Sequence, residues 1–250
     1  MNNIHFKIIV PFYNVEKWIK FCIRSIKIQN YKNFQCMLVN DKSTDNTVDI
    51  IQKEIEKDGR FKLYSKAENT GALGSIYQGI EESSASDEDV IVILDGDDWF
   101  YNKESLSVLA QRYEESKCWM TYGSYVEYPL GKSGKFSQQI PEEIIEKRLF
   151  RESEWMSSHL RTYKYKLWRR IKKEDLLNSE GKFYPMAADL PTMFPMLEMS
   201  GKRSQYIKDT LMVYNRTNPN NEDKVNHQLQ LSIENEVRLK PKYKRIEGDI

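Results

Sequence analysis

Cysteine and histidine are scarce in this 250-residue chain, three of each, and Cys22, Cys36 and Cys118 form no Cys-x-x-Cys pair. Two of the cysteines fall in apolar-periodic segments, so they read as buried free thiols, and a reducing compartment fits. A run of about 20 apolar residues, the length a membrane span needs, is missing, as is an apolar signal segment at the start of the chain. The expectation is a cytoplasmic protein, soluble or peripherally membrane-associated, with no membrane span. An excess of one charge is missing too: 38 Lys and Arg face 37 Asp and Glu, a net +1. That removes the strong basic balance of a nucleic-acid binder. Internal repeats and low-complexity linkers are absent, so the length reads as one sizeable domain, or one with a small appendage. What is present, 40% apolar and 12% aromatic residues, is sufficient for a core.

The first hundred residues alternate between strand and helix patterns. Residues 6–12 form a short apolar run, after which Val15, Trp18, Ile19, Cys22, Ile23 and Ile26 recur at helical spacing. Residues 36–39 predict a second strand, followed by a polar turn over 40–45 and a helix marked by Val48, Ile51 and Ile55. A cap for that helix is expected among Ser43, Thr44 and Asp45. Residues 61–64 predict a third strand, 71–80 a short helix, and 90–94 a fourth strand. The last is a continuous apolar run suited to a parallel sheet covered on both faces. The alternation argues for an open α/β sheet, in which ligands sit outside the carboxyl ends of the strands. The second half is less regular. Helices are expected over 106–113, 190–199 and 225–237, strands over 119–126 and 162–168, and a loop over 129–140. Pro191 suits a first helical turn, Pro195 predicts an irregularity, and residues after about 238 read as a charged tail.

The polar residues concentrate where those strands end. Ile93-Leu94-Asp95-Gly96-Asp97-Asp98 delivers three carboxylates within four residues. Gly96 permits a backbone turn that points both flanking side chains, Asp95 and Asp97, at one ion. Mn²⁺ and Mg²⁺ take oxygen ligands, usually one or two carboxylates plus substrate phosphates. A solvated acidic turn is the plainer reading of the same residues. The ligand series and distal Glu of an EF-hand are lacking.

Four segments carry a resemblance: 8–14 (IIVPFYN), 39–47 (VNDKSTDNT), Asn69-Thr70-Gly71, and 94–98 (LDGDD). In order and approximate spacing over residues 4–100 they resemble the inverting glycosyltransferases of family 2; residues 101–250 match more loosely. The resemblance implies a GT-A fold, a Rossmann-like open mixed sheet flanked by helices that binds a nucleotide diphosphate sugar, with a UDP-sugar as the expected donor. It implies a base held against Pro11, Phe12 and Tyr13, with Asn14, Asn69, Gly71 and Gly96 in the same nucleotide-sugar site. Asp41 would accept a hydrogen bond from the base, commonly uracil. Asp95 and Asp97 would flank the ribose and the metal-bound diphosphate, with Asp97 the first choice as metal ligand and Asp95 the second. Asn40 departs from the family, which usually has a second acidic residue there. A carboxylate can accept the N3–H of uracil and rejects a base with an acceptor at that place. A turn or cap role for Asp41 is the structural alternative.

Inverting transfer needs a carboxylate to take the proton of the acceptor hydroxyl. The resemblance implies an Asp or Glu at the start of a helix beyond the Asp-x-Asp strand. Met186-Ala187-Ala188-Asp189-Leu190-Pro191 is the best local match, making Asp189 the candidate base; a plain N-cap is its other reading. His159 is a candidate third metal ligand, against the commoner structural role of a lone His. Seven basic residues and no acids lie between Arg161 and Lys173. They suit either a solvated basic face or, through Arg161 or Lys164, neutralisation of a diphosphate or an anionic acceptor. Residues 214–220 suit a loop over the diphosphate, or an ordinary turn. The chain thus divides into a nucleotide-sugar-binding half (1–100), an acceptor and catalytic half of the same domain (101–224), and a C-terminal helix with a charged tail (225–250). The acceptor class is open among glycan, protein and lipid-linked hydroxyls. A non-catalytic nucleotide-sugar or carbohydrate-binding protein is the alternative. A nucleotidyltransferase is disfavoured, because Pro11-Phe12-Tyr13-Asn14 is not a Gly-rich, Lys/Arg-bearing phosphate loop.

Overall fold

The computed structural model describes residues 4–248 except 222, 223 and 225. Strand β1 (Phe6–Phe12) is buried at every position and lies at the centre of a parallel half-sheet. It pairs with β2 (Phe34–Asn40) on one side and β4 (Val90–Ile93) on the other; β3 (Phe61–Ser65) extends the half beyond β2. Past β4 the sheet becomes mixed. β8 (Arg161–Lys164) runs antiparallel to β4 and to β6 (Met120–Tyr128), and β9 (Ser204–Asn215) runs parallel to β6. β5 (Trp99–Phe100) closes the order β3-β2-β1-β4-β8-β6-β9-β5, and β7 (Lys132–Ser133) hangs on β6.

Alternation along the strands builds two cores. Ile8, Val10, Val90 and Val92 face α1 (Ile19–Lys27), α2 (Thr47–Ile55) and α4 (Ser105–Ser116) through Ile19, Ile23, Ile51 and Leu106. Ile9, Ile91 and Ile93 face α3 (Gly71–Glu82), α7 (Asp189–Ser200) and α8 (His227–Leu239) through Leu73, Ile76, Met193 and Ile233. A strand buried on both faces is apolar at nearly every position, so β1 and β4 read as near-continuous runs, with Lys7 the exception in β1, its Nζ donating to Gln35 Oε1 (2.6 Å).

The structure departs from the sequence expectations in several places. The strand expected over 162–168 stops at Lys164 and becomes the short helix α6 (Tyr165–Trp168). Its partner β4 spans only Val90–Ile93, and past it the backbone N–H of Tyr165 and Lys166 turn to the carbonyls of Asp89 and Asp87. The loop expected over 129–140 contains β7, and α5 (Glu142–Lys147) follows it. Pro195 lies inside α7 without ending it. For the terminal helix expected over 225–237, Val225 is outside the described residues, and the helix runs from His227 to Leu239. The charged segment after it folds back on α7: Tyr243 N–H donates to Glu198 Oε2 (2.8 Å) and Ile246 N–H to the Met199 carbonyl (3.0 Å). Among the described residues no helix is long and apolar enough to cross a membrane.

Candidate active site

A cleft of about 1070 Å³ opens at the carboxyl ends of β1, β2 and β4 and continues past β6 and β8 to the start of α7. Pro11, Phe12, Tyr13, Asp41, Asp95, Gly96, Asp97, His159, Arg161 and Asp189 all line it. Asn14, Asn69 and Gly71 are not lining residues and act behind them. Asn14 holds the turn after β2, its N–H donating to Ser43 Oγ (3.0 Å) and its Oδ1 accepting from Thr44 N–H (2.8 Å). Asn69 donates to the Asp41 carbonyl (3.0 Å), and Gly71 donates its N–H to Asp41 Oδ2 (2.8 Å) from a left-handed φ of 78° that favours glycine.

Asp41 is 3% exposed and well supplied with donors. Its Oδ1 accepts from Lys66 Nζ (2.7 Å) and Thr70 N–H (3.0 Å), and its Oδ2 from Gly71. Lys66 is further held by Thr70 Oγ1 and Ser75 Oγ. A carboxylate offers about four lone-pair positions, so three donors leave room for one more. Asn40 faces elsewhere: its Oδ1 accepts from Ser43 N–H (2.8 Å) and its amide donates to Ser65 Oγ (3.3 Å).

The acidic turn has a geometry that differs from the expectation. Gly96 does not take a positive φ; it is required by close approach, since a Cβ there would lie 2.6 Å from Phe12 Cβ and 3.2 Å from the Pro11 carbonyl oxygen. Asp98 N–H donates to the Asp95 carbonyl (2.9 Å), a tight turn that brings the first and fourth residues together rather than the first and third. Ligand atoms of Asp95, Asp98 and His159 consequently lie within 4.8 Å of one another. Asp97 is not in that group, and its Oδ2 accepts from Asn218 Nδ2 (2.7 Å). The sequence did not single out Asp98; the quoted cluster held it, but the turn that brings it, rather than Asp97, beside Asp95 and His159 is set by tertiary contact.

This group has the character of a divalent-cation site. Asp98 is fully buried; its Oδ1 accepts from Asn215 N–H (2.8 Å), and its Oδ2 has no partner among the described residues. Burial first, then the charges of Asp97 and Asp95, pushes the Asp98 carboxyl well above the ordinary range. Burial likewise pushes Asp97 up to about 6. His159 stacks on Tyr214 (5.3 Å between ring centres, 23°) with Tyr125 edge-on. Burial, followed by the charge of Arg161, lowers its pKa well below that of free imidazole and keeps it a neutral donor. An orphaned carboxylate oxygen, a second carboxylate and a neutral imidazole fit a divalent metal.

Asp189 is the first residue of α7, and no side chain caps that helix, so the plain N-cap reading does not describe it. Its carboxyl is raised by burial, against a lowering by Arg161. Arg161 bridges the two halves of the cleft, with Nη2 3.6 Å from Asp95 Oδ2 and Nη1 4.0 Å from Asp189 Oδ2. The basic segment otherwise divides as an ordinary surface would: Lys164 and Lys166 both pair with Glu88.

Comparison with known proteins places this geometry. Glycosyltransferase GlyA of Streptococcus pneumoniae serotype 4 is 32% identical over 121 residues, 48% of this chain and 17% of its own length. An uncharacterized glycosyltransferase of Haemophilus influenzae is 34% identical over 128 residues, 50% of this chain and 48% of its own. The chain thus spans less than half of the length of either relative. Among solved structures, S. aureus TarS 1-349 in complex with UDP superposes with a TM-score of 0.66 at 21% identity, covering 86% of this chain and 61% of that one. The mannosyltransferase PcManGT from Pyrobaculum calidifontis, in complex with GDP-Man and Mn²⁺, superposes with a TM-score of 0.58 at 17% identity, covering 85% and 58%. The fold is the GT-A fold of these transferases. The sequence profile of glycosyl transferase family 2 matches residues 7–177, more than half of the chain and the whole span from the first strand past Arg161; the chain belongs to that family.

Proposed function

We propose that the chain transfers a sugar from a nucleoside diphosphate, a UDP-sugar in the first instance, to an acceptor hydroxyl with inversion. The observation that carries the reading is that Asp41, Asp95 and Asp189 line one cleft; they would serve the base, the diphosphate and the acceptor in turn. Pro11, Phe12 and Tyr13 would hold the base, and the free lone pair of Asp41 would accept the uracil N3–H. Residues 1–100 then form the donor half, and 101–224 bring the acceptor side to the same cleft.

Asp95, Asp98 and His159 would hold Mn²⁺ or Mg²⁺, which supplies neutralising charge for the departing diphosphate. Asp97, held by Asn218, would face the donor from beside them. In the transfer step Asp189 takes the proton of the acceptor hydroxyl. The acceptor oxygen bonds to the anomeric carbon as the bond from that carbon to the phosphate oxygen breaks, and the nucleoside diphosphate leaves with the bonding pair. A carboxyl raised by burial is better matched to this task than an ordinary one. The test is turnover of a panel of UDP-sugars with Mn²⁺ and hydroxyl acceptors. Wild type is expected to release UDP and Asp189→Asn to bind UDP without turnover. Equal turnover by the variant removes Asp189 as base, and donor binding without product under all acceptors favours a binding protein.

A further inference from the structure

Arg161 holds a position that the donor site as described does not account for. It is the first residue of β8, paired with Ile93 at the end of β4, so its side chain emerges beside the acidic turn. That side chain is 8% exposed. Among the described residues its nearest anions stand at 3.6 and 4.0 Å, both beyond hydrogen-bond length, and its buried Nε has no partner. Among the described residues the guanidinium donates no hydrogen bond, although it has five N–H donors to place. Burying a charge is costly unless it is paired and hydrogen-bonded. The same fold shows what a completed buried arginine looks like: Arg151 donates to both carboxylate oxygens of Glu198 (2.6 and 3.1 Å) and to the Val237 carbonyl (2.6 Å). A guanidinium serving only to tie Asp95 to Asp189 would be drawn to similar lengths.

We infer that Arg161 is an anion-binding residue whose planar fork receives the phosphate oxygens of the donor's diphosphate in the floor of the cleft between Asp95 and Asp189. Guanidinium geometry suits two phosphate oxygens at once. The inference rests on the nucleotide-sugar reading above, and it adds a fixed positive charge to the donor site.

The experiment is calorimetric titration of wild type, Arg161→Met and Arg161→Lys with UDP, uridine and inorganic pyrophosphate at saturating Mn²⁺, with thermal melts for folding. Charged hydrogen bonds are worth about 1.5–3 kcal/mol, so Arg161→Met is expected to weaken UDP about 10- to 150-fold and leave uridine unchanged. Arg161→Lys, which keeps the charge and loses the fork, is expected to lose less and stands in should the Met variant not fold. Unchanged UDP affinity in a folded variant, or a parallel fall for UDP and uridine, overturns the inference and leaves the sugar-transfer reading intact. If wild type binds no nucleoside diphosphate but binds pyrophosphate in an Arg161-dependent way, the anion site stands and the sugar-transfer reading falls.

Discussion

Two buried arginines at opposite ends of α7 divide the labour of this fold. Arg151 joins α7 to the C-terminal helix, with Glu198 and the Val237 carbonyl taking its donors. The tail adds Tyr243 N–H to Glu198 Oε2. Arg161, at the other end of the same helix, stands loosely between Asp95 and Asp189. Near it are Asp98 with an orphaned oxygen and Asp97 with its carboxyl raised to about 6. Where polar groups complete one another they hold elements together. Where they are left incomplete in a cleft, as Asp98 and Arg161 are among the described residues, the proposed partner is a ligand.

That contrast can be broken by separating activity from stability. The largest effect is expected from Asp189→Asn: a fall in turnover of about 10²–10⁴-fold, the usual contribution of a general base, with an unchanged denaturant midpoint. A midpoint that drops with turnover would make Asp189 structural and erase the distinction. Next is Glu198→Ala, which leaves Arg151 buried without its counter-charge and should cost about 3–5 kcal/mol of stability. Urea unfolding measures it, and a loss within experimental error would mean that the Arg151 region is no anchor. Third, Mn²⁺ at a hundred times its Kd should raise the apparent stability of wild type by about 2.7 kcal/mol. Asp98→Asn should abolish that rise, while Asp97→Asn should retain most of it; the reverse pattern in thermal shift returns the metal to Asp97. The smallest effect is expected from Asn218→Ala, which removes one hydrogen bond to Asp97 and should cost about 1–2 kcal/mol, read as a modest midpoint shift.

How far the fold was legible depended on how local its causes are. β1 and β4 announced themselves because a strand covered on both faces is apolar at nearly every position. β9 was not recognised, although at twelve residues it is the longest strand. Its register against β6 shifts around Ser124, so the two-residue alternation is interrupted midway. β5 has two residues, too few for any pattern. Residues 165–168 alternate as a strand would, yet form a helix because β4 ends and nothing beyond it offers a ladder. In the site, Asp95 could be named from a strand end, whereas Asp41 and Asp189 were named by the family resemblance, at places that a turn or cap residue would suit equally. Asp98 could not be preferred to Asp97 on spacing, because the choice belongs to a turn held by Pro11 and Phe12 packing on Gly96.

By itself, then, the sequence determined the parallel half-sheet, the acidic turn at its edge and the apolar helix expected over 190–199. Each follows from side-chain periodicity and backbone preference within a few residues. Only the tertiary structure decided that Asp98 and His159 stand together, that Asn69 and Gly71 serve Asp41, and that Arg161 is buried without a hydrogen bond among the described residues. Burial and hydrogen-bond partnership depend on residues distant along the chain, and those come into reach only when the sheet closes over both cores.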